Sequence, residues 1–138
     1  MKHLFLSVVL ALGVFSHLSA QQLSTSEVYK SKSELIAHYD LDDEQAVEID
    51  RIIDQRENNL NTLDAFGIQG SEVYLSKRRA MFYGEMTSIR LILNKPAQIE
   101  IYDAELRAHR RAETERVREL VAAGHEPAKA RVLMLERY

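Results

Sequence analysis

Two places in this chain fix where long helices begin, and the rest must be arranged around them. The first is Leu41-Asp42-Asp43-Glu44-Gln45, followed by Ala46-Val47-Glu48-Ile49-Asp50-Arg51-Ile52-Ile53. With Asp42 as N-cap, Gln45 is the third helical residue, the D-x-x-Q form of a capping box. The carboxylate accepts a free first-turn N–H, and the glutamine reaches back to the N–H of the cap. Leu41, just before the cap, is placed for a hydrophobic staple to Ala46. Asp43 and Glu44 fall where the helix dipole favours negative charge. The second start is Leu93-Asn94-Lys95-Pro96-Ala97-Gln98. Lys95 precedes proline and is pushed away from helical geometry. Pro96 suits the first helical position, which again puts Gln98 third. Lys95 then takes the cap position, which a lysine fills poorly.

Ahead of these starts, Met1-Lys2-His3 carries positive charge and Leu4 to Val14 is an almost unbroken apolar run. Small residues then lead to Ala20, and Gln21-Gln22 opens a polar segment. This is the layout of a secretory signal peptide. Residues 1–20 are expected to be a leader cleaved after Ala20, and residues 21–138 a single helical domain. A periplasmic location and a mature protein outside the membrane follow as expectations. The chain has no cysteine, so its stability must come from packing and thiolate chemistry is excluded. It has no tryptophan and few aromatics, which suits an elongated helical protein.

Along the chain, residues 21–25 read as a flexible lead-in and Ser26 to Tyr39 as a short helix with Val28, Leu35 and Ile36 on one side. From Asp42 to about Phe66, Ala46, Ile49, Ile53, Leu60 and Leu63 form an amphipathic stripe. Arg56 interrupts it, either with its stem packed at the stripe's edge or as a charge in a groove. Gly67 is expected to end this helix in a left-handed conformation, and Ser71 to cap the next. So short a connection makes the two helices antiparallel neighbours. The next helix, Glu72 to about Leu93, carries Val73, Tyr74, Met81, Met86, Ile89, Ile92 and Leu93 as apolar positions. Gly84 inside it marks a close helix approach or a bend. The helix from Pro96 to about Ala123 has Ile99, Tyr102, Leu106, Val117, Leu120 and Val121, with a polar middle that must project, bridge or join a partner. Ala128 to Tyr138 closes the chain as a short helix with Val132, Leu133 and Leu135 apolar. The predicted fold is all-α: long antiparallel helices with short terminal ones, an elongated hairpin expected to dimerise into a curved cradle.

Chemistry is thinly represented. There is no glycine-rich phosphate loop. His109 and Glu113 are four apart on one helix, and His38 lies near Asp40 and Asp42, but neither set makes the three or four ligands of a closed metal site. Asp50 and Asp54 share a helix face, yet nothing signals a pocket that would shift one pKa. No catalytic residue, cofactor or metal site is expected, and the protein is not expected to be an enzyme. Charge is uneven instead. Asp40 to Asp64 holds nine acidic residues and two arginines, whereas Glu72 to Arg137 holds ten acidic and thirteen basic ones. Attraction between neighbouring helices explains this, as does a basic surface meeting an acidic partner. Net negative charge and export make nucleic acid an unexpected partner.

Two long-helix starts of the form leucine, cap, two residues, glutamine resemble the LTxxQ-motif periplasmic family, the Spy/CpxP-like stress proteins. Leu41, Asp42 and Gln45 match the first motif, with aspartate in place of threonine; Leu93 and Gln98 match the second, with one extra residue between them. The resemblance spans about residues 26–123. It implies a thin, curved homodimer that binds unfolded or envelope proteins without ATP, or that docks on a membrane sensor. Related exported sensors bind metals, so a regulatory or metal-sensing module is the alternative. Candidate partner-binding residues are Arg78, Met81, Arg90, Arg107, Arg110 and Arg111, where basic and apolar groups lie side by side.

Overall fold

The computed structural model describes residues 28–138; the expected leader and the 21–25 lead-in lie outside the described residues. Among those described, the chain forms five α-helices and no strand: α1 Lys32–Tyr39, α2 Asp43–Phe66, α3 Glu72–Ile92, α4 Pro96–Ala122 and α5 Pro127–Leu135. The all-α prediction holds. No described helix is long and apolar enough to cross a membrane.

The helix predicted from Ser26 to Tyr39 is interrupted: Val28 is helical, Tyr29 and Lys30 are not, and residues 26–27 lie outside the described residues. Helix α1 begins after Ser31, which caps it through a full box: Ser31 Oγ accepts the Glu34 N–H, and the Glu34 carboxylate accepts the Ser31 N–H at 2.7 Å. Residues 28–30 run ahead of the cap. Asp40 ends α1 with φ 50°, the left-handed conformation that short polar residues tolerate. Two residues later α2 starts as predicted, with the Gln45 N–H on Asp42 Oδ1 at 3.0 Å and the Asp42 N–H on Gln45 Oε1 at 3.1 Å.

Gly67 ends α2 but is not left-handed. Its φ of −91° and ψ of 147° are extended, so it is glycine for a different reason. A Cβ there would lie 2.6 Å from the Tyr74 ring and 2.7 Å from the Leu63 carbonyl oxygen. The tyrosine folds back over the turn and donates to the Asp64 carboxylate, which pins α2 to the start of α3. Ser71 caps α3 as expected, accepting the Tyr74 N–H at 3.2 Å.

The two long helices α2 and α3 pack as a hairpin, α1 bridges α2 to α4, and α5 bridges α3 to α4. Their shared core holds Leu35, Tyr39, Ile49, Phe82, Met86, Ile89, Leu93, Tyr102, Met134 and Tyr138. A smaller cluster of Leu63, Tyr74 and Leu75 sits at the hairpin turn. Two expected apolar positions, Val73 and Val121, are exposed. On α5 the buried residues are Ala130 and Met134, with Leu135 half-buried against the core. The α5 face that counts is Ala130, Met134 and Tyr138, at four-residue steps through the helix end.

Candidate binding surfaces

The two predicted helix starts meet. Gln45 and Gln98 are buried, 4% and 2% exposed, and their amides pair reciprocally. Gln45 Nε2 donates to Gln98 Oε1 at 3.0 Å, and Gln98 Nε2 donates to Gln45 Oε1 at 2.9 Å. Each oxygen also accepts the N–H of its own cap residue, Asp42 at 3.1 Å and Lys95 at 3.2 Å. The remaining amide hydrogens reach the Ile92 carbonyl at 2.8 Å and the Asp40 carbonyl at 3.1 Å. A buried amide costs stability unless its hydrogen bonds are made, and here both are satisfied. The joint ties the ends of α1 and α3 to the beginnings of α2 and α4. Lys95 gives no side-chain cap. Its Nζ instead donates to the Asp40 carbonyl at 3.2 Å and lies 3.9 Å from the Asp42 carboxylate. Leu41 and Leu93 are buried beside the joint. All five motif residues therefore converge on one architectural feature.

Charged groups inside the fold are matched to partners. Glu113 is a bridge across the polar middle of α4. Arg79 grips it in a fork, Nε to Oε1 at 2.6 Å and Nη2 to Oε2 at 2.8 Å, and the Tyr138 hydroxyl donates to Oε1 at 2.6 Å. Burial raises the Glu113 pKa, but these donors outweigh it and hold the carboxyl below its usual range. Glu105 accepts from Lys30 and Tyr39, with His38 Nε2 at 3.1 Å and His109 Nε2 at 3.8 Å. Burial again opposes its charge, and hydrogen bonds from His109, Lys30 and Tyr39 prevail, so its pKa is lowered. Glu85 shows the opposite balance. Burial outweighs the pull of Arg56, and its pKa is raised. Arg56 is half-buried, donating to the Lys30 carbonyl at 3.0 Å and to Glu85 Oε1 at 3.1 Å, and it lies over the Tyr29 ring and lines the groove between α2 and α3.

His109 and Glu113 do not act together, since Glu113 belongs to Arg79 and His109 to Glu105. His38 likewise turns to Glu105 rather than to Asp40 and Asp42. Among the described residues, no group of three or more histidine and carboxylate side chains could hold a metal ion. Asp50 is an exposed partner of Lys32.

On the other side of the hairpin, α2 and α3 leave an apolar groove of about 700 Å³, open along one side. Ile52, Met81, Leu91 and Ile92 line it, with Ala80, Gly84 and Ser88 along α3. A Cβ on Gly84 would meet nothing within 4 Å. The glycine therefore marks no close approach within the chain. Of the candidate partner-binding residues, only Met81 lies in this groove. Arg78 lies over the Tyr74 ring. Arg110 lines a separate trough with Tyr83, Thr87 and Tyr102, and Arg90 and Arg110 both act on the Tyr102 hydroxyl. Arg107 and Arg111 are exposed on α4. The set is spread over two faces. Sequence reading missed the groove because its lining alternates between positions that resemble core, such as Ile52 and Ile92, and small residues that carry no signal.

No protein-family model, curated protein or solved structure matches the chain.

Proposed function

We propose that this protein is an exported, non-enzymatic helical protein of the envelope-stress type that binds unfolded or partner proteins without ATP. The observation that carries this reading is the open apolar groove on the α2–α3 hairpin, with exposed Leu91 at its edge. The basic residues Arg107, Arg110 and Arg111 stand exposed on α4. Apolar and cationic surface together favour weak, adaptable contact with many chains. The paired capping boxes support it indirectly, since they hold the hairpin without using its outer face. In a homodimer two such surfaces gain avidity for one client.

The test is aggregation of a chemically denatured client in the presence of the purified mature chain. Suppression at near-stoichiometric ratios without ATP is expected, weakened when Arg107, Arg110 and Arg111 are all changed to glutamate. No suppression across a wide range of ratios would contradict the proposal.

A further inference from the structure

The groove carries more than a general apolar character. Its small residues Ala80, Gly84 and Ser88 repeat at four-residue steps, so they form one row along α3. A glycine inside a helix costs about 1 kcal/mol relative to alanine. Nothing in the chain's own packing requires that cost here, because the space over Gly84 is empty. A row of small residues flanked by larger ones is the groove into which the ridge of another helix fits. The opening is a trough between two helix walls rather than a closed tunnel, so a slender chain lying in it would stay half wet. A helix, about 10 Å across, covers it from above.

Charge sets the direction. Inside the groove Arg51 pairs with Glu48 at 2.6 Å and Arg56 with Glu85 at 3.1 Å. Lys77, at the end nearer the hairpin turn, lines the same groove, and among the described residues no carboxylate lies within ion-pair distance of it. At the other end stands Leu91, 81% exposed. At 1.5 Å per residue the two are about 21 Å apart along α3, which is some four helical turns of an occupant. We propose that the α2–α3 groove docks an amphipathic helix of a partner protein, apolar at three- and four-residue steps, with an acidic residue over Lys77. This rests on the protein-binding reading above and names its site and the chemistry of the bound segment.

The experiment uses fluorescence anisotropy with a labelled model peptide built of leucine, alanine and glutamine on the helical pattern, carrying glutamate at one end. A second peptide carries lysine there. The glutamate peptide should bind the full mature chain more tightly, and Lys77→Glu should reverse the order. Gly84→Leu should weaken binding about tenfold or more while leaving the thermal transition at or above that of the parent, since the site is open and leucine favours helix. Equal binding by Gly84→Leu would overturn the proposal. So would a dimer that becomes monomeric on this substitution, because a second copy would then be the occupant. If client aggregation is suppressed while neither peptide binds, the docking proposal fails and the broader function survives; the reverse result sinks the broader function alone.

Discussion

The glutamine joint and the outer groove lie on the same hairpin and follow opposite rules. At the joint, polar groups are buried and every amide has a partner: Gln45 and Gln98 exchange hydrogen bonds at 3.0 and 2.9 Å and close the caps of two helices. In the groove, apolar groups are left open, with Leu91 exposed and the space over Gly84 empty. A buried amide pair with fixed geometry admits one arrangement of four helix ends, which is specificity. An open trough with its own charges mostly paired admits many occupants. The contrast predicts that substitutions at the joint cost stability, and that substitutions in the groove leave stability intact while changing what binds.

The largest effect should follow Gln45→Leu. It removes the box to Asp42 and leaves one Gln98 amide hydrogen and the Ile92 carbonyl without their Gln45 partner, at about 3 kcal/mol in total. Urea unfolding followed by circular dichroism would measure it, and a loss below about 1 kcal/mol would break the contrast.

Next in size is the acid limb. The folded-state pKa of Glu105 lies below its ordinary 4.5. Its contribution is therefore fully present above that value and is lost as pH falls below it. Glu105→Gln should flatten the fall in stability below pH 4.5. Glu85 has the reverse sign, its pKa being raised, so Glu85→Gln should not weaken the protein by the same route at neutral pH. Equal pH profiles for the parent and Glu105→Gln would show that the carboxylate is not held as the geometry indicates.

Smaller, and of opposite sign, is Gly84→Ala. With no atom within 4 Å of the new Cβ, the thermal transition should rise, by about 1 kcal/mol in stability. A loss would mean that the groove is not open. The smallest effect is Lys95→Ser, which supplies the missing cap at the second helix start but gives up the contacts to Asp40 and Asp42. A net gain of about 0.5 kcal/mol is expected in the same denaturation assay.

The helix starts were legible because capping is local chemistry. Asp42, Gln45, Pro96 and Gln98 state their roles within six residues of chain. That the two glutamines pair with each other was not legible, since the partner lies 53 positions away and a capping glutamine looks the same whether exposed or buried. Gly67 shows the same limit, its identity set by the Tyr74 ring rather than by its own dihedral angles. The buried face of α5, Ala130 and Met134, was not marked in the sequence because a nine-residue helix rich in apolar residues has no clear stripe. Glu113 was set beside His109 by spacing alone, whereas its true partners Arg79 and Tyr138 come from other elements. The groove was invisible for a complementary reason: its signal is a missing side chain.

A double-mutant cycle on Gln45→Leu and Gln98→Leu tests the joint most directly. Each single change leaves a buried amide hydrogen of the other glutamine without its partner, whereas the double change leaves two apolar side chains that can pack together. The pair should therefore lose less stability than the sum of the singles, with a coupling of about 1.5 kcal/mol or more. Additive losses would show that the two helix starts are capped independently and that no joint organises the fold.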